Sequence, residues 1–113
     1  MSDAKLFVLY RFSIEETRQA AFEQAYRERK PSLDLIPGHL NEMLVRSLDA
    51  AASYTIISIW QPQEFYAWLK SPEHTTMVEF LQQFGRKDTA VARYLISETF
   101  SQEQHQRLAA LFS

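Results

Sequence analysis

"YTIISIWQPQEFYAWLKSPEH" runs from Tyr54 to His74 and holds both tryptophans of the chain, Trp60 and Trp68. Six of its first seven residues are branched or aromatic, Ser58 being the exception, which is the composition of a strand. Gln61-Pro62 then opens a helix, because proline at the first helical position has its φ fixed and its missing N–H is not needed there. Ser71-Pro72-Glu73 repeats the device, with a serine cap, a proline and an acid near the positive helix end. The stretch predicts a strand end, a short helix, a kink and a second helix. That second helix stops at Gly85, which suits a left-handed helix end.

Upstream, "KLFVLYRFS" (Lys5 to Ser13) predicts the first strand. "SIEE" from Ser13 reads as a capping box, opening a helix with Ala21, Phe22, Ala25 and Tyr26 on one stripe. Pro31 is expected to interrupt that helix. "HLNEMLVRSL" (His39 to Leu48) alternates as the second strand, with Glu42 and Arg46 on one face, expected at a solvated edge. His39 itself is expected at the strand entrance. Downstream, "VARYLISETF" (Val91 to Phe100) predicts the fourth strand, and "SQEQ" from Ser101 opens a C-terminal helix over about 102–112. The order βαββαβ is the ferredoxin-like, α+β arrangement of a four-stranded antiparallel sheet. Strands one and three, the most apolar, belong in its middle.

At 113 residues, with 46% hydrophobic and 13% aromatic content, the chain reads as one globular domain over 1–113, with its core at about 5–100. A formal net charge of -2 gives no basic footprint for nucleic acid. The absence of cysteine removes disulfides, thiolate metal sites and a cysteine nucleophile, and it fits a cytoplasmic protein. No leader and no membrane-spanning run is read in the sequence. With two glycines there is no phosphate-cradling loop, and His39, His74 and His105 lack metal-ligand spacing. The first strand is apolar on both faces (Phe7 and Leu9 against Val8, Tyr10 and Phe12), and so is the third. Helices cover only one face, so the other is expected to pair with a second copy as a homodimer.

From Tyr54 to His74 the chain resembles the strand-helix signature of the antibiotic biosynthesis monooxygenase family of dimeric α/β-barrels. The shared pattern is an apolar strand ending in Trp, a short helix with an aromatic and a Trp, then Ser-Pro and a His. In element order the resemblance covers about Lys5 to Phe100. It implies a homodimer with a cavity between sheet and helices in each subunit, and oxidation of aromatic or quinone-like molecules without metal or flavin. Trp68 takes the place of the family's helical Trp, and Trp60 and Phe65 are implied pocket-lining residues beside it. His74 is the candidate base and Tyr10 the second candidate catalytic residue.

The heme-opening branch of the family pairs that Trp with an Asn on the first strand and a His ligand on the helix. Here Tyr10 stands at the Asn position and Val78 at the His spacing, with His74 one turn earlier. Heme degradation is therefore the third reading. The rival to the oxygenase is a non-catalytic dimer that binds a small molecule or acts as an interaction module, with Trp60, Trp68 and Phe65 as ordinary core. A cavity filled by those rings would favour the rival. A closed pocket with a titratable group would favour the enzyme.

Overall fold

The computed structural model describes residues 4–50 and 52–96. The four strands form one antiparallel sheet of order β2-β3-β1-β4, with β1 at Lys5–Ser13, β2 at His39–Arg46, β3 at Ser53–Trp60 and β4 at Lys87–Ile96. As the sequence predicts, the two most apolar strands lie in the middle. A 3-10 turn at Glu16–Arg18 leads into α1 (Gln19–Leu33), and α2 (Pro62–Leu69) and α3 (Pro72–Gln83) connect β3 to β4.

Side chains alternate across a strand, and burial follows that alternation. On β1, Leu6, Val8 and Phe12 are buried, and on β3 Tyr54, Ile56, Ser58 and Trp60 are buried. These residues form the helix-facing side. One cluster joins Phe12, Phe22, Tyr26, Tyr54 and Ile56 to Met77 and Leu81 of α3. A second joins Leu6, Val8 and Trp60 to Phe65 of α2. Each fully buried large side chain contributes roughly 1.5–3 kcal/mol. Trp68 packs against both clusters and so sits at their seam.

The α2–α3 kink forms where the local signals place it. Gln61 precedes Pro62, and Ser71 Oγ accepts a hydrogen bond from the His74 N–H at the start of α3. Gly85 follows the helix with φ 72°.

Four local expectations differ from the structure. Ser13 does not cap a helix. It ends β1, and its hydroxyl donates to the Lys87 carbonyl and to Asp88, because β4 pairs beside it. Pro31 does not end α1, which runs on to Leu33. So near the helix end, the missing N–H costs one backbone bond of the last turns. β4 begins at Lys87 rather than Val91, since Ser13 pairs with Lys87 across β1. Glu42 is not on a solvated edge but 8% exposed. Residues 97–100 of the expected fourth strand and the expected C-terminal helix lie outside the described residues.

The opposite face of the sheet carries Phe7 and Leu9 of β1 and Ile57 and Ile59 of β3, all half-buried. Met43, Val45 and Tyr94 flank them and are exposed. Arg11 also lies there, exposed, so it needs no buried partner. Among the described residues, no helix is long and apolar enough to cross a membrane.

Candidate functional site

A cavity of about 130 Å³ lies between the sheet and the helices, where the two clusters meet. It opens here because Ser58 occupies a position on β3 whose neighbours along that face are Ile56 and Trp60. The small side chain leaves room, and its Oγ accepts a hydrogen bond from Trp60 Nε1 at 2.9 Å, which fixes the indole. Trp60, Trp68 and Phe65 form the aromatic wall, with ring centroids 4.9 Å apart for the two tryptophans and 5.4 Å for Trp60 and Phe65.

The sequence candidates lie together in this wall. Tyr10 and His74 line the cavity with the three aromatic residues. The His74 ring is half-buried and meets Trp68 edge-on, with centroids 4.8 Å apart. Tyr10 Oη accepts a hydrogen bond from Arg86 Nη1, and the Arg86 guanidinium also lies over the Tyr10 ring. Arg86 escaped the sequence reading because it lies 76 residues from Tyr10 in the chain and meets it only through the tertiary fold. Trp68 Nε1 is buried without a hydrogen-bond partner.

A second polar group was missed. His39 and Glu42 also line the cavity. His39 Nε2 and Glu42 Oε1 are 2.9 Å apart, with side chains 1% and 6% exposed. Tyr26 Oη donates to the other carboxylate oxygen, Oε2. Burial, and then the Glu42 charge and hydrogen bond, push the Tyr26 hydroxyl far above the usual tyrosine range. His39 Nδ1 is buried with no partner. Residues three apart on a regular strand point to opposite faces. The β2–β3 register shifts between His39 and Asn41, and this irregularity brings His39 to the side of Glu42. No local sequence signal marks such a bulge. Gly38, immediately before His39, is the nearest hint.

Among the described residues no three His, Asp or Glu side chains gather to hold a metal ion. The heme reading finds Val78 in the cavity wall with His74 one turn before it on α3.

These features define a ferredoxin-like α+β protein with an aromatic cavity between sheet and helices. The chain belongs to the antibiotic biosynthesis monooxygenase family, whose model matches residues 6–79. It is 29% identical over 97 residues to Protein SchA of Streptomyces halstedii, covering 85% of this chain and 26% of that protein. It is also 29% identical over 94 residues to the 42.8 kDa protein in the whiE locus of Streptomyces coelicolor, covering 82% and 23%. The chain thus spans about a quarter of the length of the curated relatives it matches. A crystal structure of a Deinococcus radiodurans protein assigned to the antibiotic biosynthesis monooxygenases superposes with a TM-score of 0.73 at 15% identity, covering 85% of this chain and 96% of that one. SnoaB, a cofactor-independent oxygenase from Streptomyces nogalater, superposes with a TM-score of 0.63 at 19% identity, covering 87% and 96%. At these identities the structural likeness shows the fold.

Proposed function

We propose that this chain is a cofactor-independent monooxygenase acting on an aromatic or quinone-like small molecule. The observation that carries the reading is the cavity itself: apolar and aromatic over most of its wall, with Tyr10, His74 and the His39–Glu42 pair converging on it. Family membership and the SnoaB-like fold support it. A cavity near 130 Å³ compares with the roughly 150 Å³ apolar cavity that accepts benzene, so one ring of a substrate fits before the walls move.

The chemistry asks little of the protein. An activated aromatic CH₂ group loses a proton, and the anion gives one electron to dioxygen. The two radicals join as a peroxide anion, which takes the proton back to become a hydroperoxide, and loss of water leaves a carbonyl. Carbon is oxidised, dioxygen is reduced, and one oxygen atom ends in water. The walls supply orientation and exclusion of water. Trp60, Trp68 and Phe65 hold the ring plane. Tyr10, steadied by Arg86, places a cation-backed hydroxyl where negative charge develops. His74 lies in the same wall and is the second candidate for moving protons there.

An oxygen electrode tests the proposal. Anthrones and hydroquinones are offered to purified protein, with Trp68→Ala and His74→Ala beside the wild type. Protein-dependent oxygen consumption that falls more than tenfold in a folded Trp68→Ala variant is the expected result. A broad panel with no consumption above that of substrate alone would leave the binding module as the better reading.

A further inference from the structure

The geometry points to His39, held by Glu42 and Tyr26, as the proton acceptor of this cavity and the selector for ligands bearing an acidic hydroxyl. The inference rests on the oxygenase reading for the step it serves, while its binding chemistry stands on the residues alone.

Glu42 is almost wholly buried, and both of its oxygens accept. Oε2 takes the Tyr26 hydroxyl, and Oε1 lies 2.9 Å from His39 Nε2. A carboxylate has acceptors only, so the hydrogen between it and the imidazole sits on Nε2. A neutral ring then has a bare lone pair on Nδ1. That nitrogen belongs to a cavity-lining side chain that is 1% exposed, and it has no protein partner. The fold therefore keeps a fixed tautomer with one unused acceptor in an apolar chamber, and a ligand hydroxyl completes it.

The ring is also locked in place. It packs edge-on against Trp60 at 4.8 Å, and Trp60 is itself tied to Ser58. The raised Tyr26 hydroxyl stays a donor and keeps the carboxylate oriented. His74 lacks such an arrangement. Its ring leans on Trp68, and among the described residues no side chain fixes its tautomer. When a phenol or enol binds, its O–H bond breaks and Nδ1–H forms. The imidazolium is then balanced by Glu42, and the electron pair stays on the substrate oxygen. That anion is the species that reacts with dioxygen, and His74, elsewhere in the cavity wall, is left free for later proton movements.

The test exchanges the tautomer without emptying the site. In Glu42→Gln, the amide oxygen can still accept from Tyr26, while the amide nitrogen donates to His39 Nε2. Nδ1 must then carry the hydrogen and become a donor. Binding of para-nitrophenol and of its capped analogue para-nitroanisole is measured by tryptophan fluorescence quenching. The wild type should prefer para-nitrophenol by about tenfold, the size of one buried hydrogen bond left unmade. Glu42→Gln should lose or reverse that preference. Equal binding of the two probes by the wild type, no binding of either, or an unchanged preference in Glu42→Gln would overturn the inference. Nitrogen NMR of wild-type His39 gives a reading that needs no variant. Hydrogen on Nε2 is expected, and hydrogen on Nδ1 would overturn the assignment. If phenol selectivity follows His39 but no dioxygen is consumed, the oxygenase reading falls and this one stands. If dioxygen is consumed and the selectivity is absent, the reverse holds.

Discussion

Gly38 shows how much one residue can settle. Its φ is 76°, and a Cβ added there would lie 2.1 Å from Glu64 Cβ on α2. Its carbonyl accepts the Gln61 N–H, so the start of β2 and the start of α2 meet at one atom pair. Gly38→Ala should cost about 1–3 kcal/mol from backbone strain alone, and the clash with Glu64 should displace His39. Urea denaturation measures the first effect, and loss of the His39–Glu42 pairing by NMR measures the second. The buried tyrosines give a pH signature. Tyr26 is raised well beyond the usual range, and Tyr54, desolvated and bonded to Glu23, is pushed up to about 12. The unfolded chain loses these protons near pH 10, while the folded protein retains them. Their contribution is therefore intact below pH 10 and is lost progressively as pH rises above it. Thermal unfolding from pH 8 to about pH 12 should show this decline, with a shallower slope in Tyr26→Phe.

The elements were legible where their signals are local. Pro62 and Ser71-Pro72 act within one helical turn, so α2 and α3 begin where the sequence puts them. Ser71 accepts from the His74 N–H and donates to the Trp68 carbonyl at 2.6 Å, which ties the two cavity residues to one cap. Ser71→Ala should cost about 0.5–2 kcal/mol and alter the near-UV circular dichroism of Trp68. Wild-type stability and spectrum in that variant would contradict the coupling. Where tertiary pairing decides, the local signal loses. Ser13 looked like a helix cap, and β4 draws its hydroxyl away. His39 and Glu42, three apart, would face opposite sides of a regular strand, and the register shift joins them. The aromatic half of the cavity wall was thus readable from Tyr54 to His74, while its buried acid–imidazole group depended on a bulge that no residue pattern announces.

For the whole molecule, the sheet face away from the helices is the main unassigned surface. Leu9 and Ile57 lie at its centre, with exposed Met43, Val45 and Tyr94 around them. We propose that a second copy covers it, burying roughly 1,200–2,000 Å² in total. Light scattering at low micromolar concentration should give twice the chain mass. Leu9→Asp should give a monomer, because an unpaired carboxylate is costly to bury. A wild-type monomer would contradict the pairing.

In the function proposed for this chain, the cavity directs dioxygen onto a bound aromatic carbon. Turnover of an anthrone under isotopically heavy dioxygen, with the product analysed by mass spectrometry, tests it most directly. One heavy oxygen atom is expected in the product carbonyl and the other in water, formed at a rate that scales with protein and collapses in Trp68→Ala. Protein-dependent product carrying only ordinary oxygen, or no product at all, would contradict it.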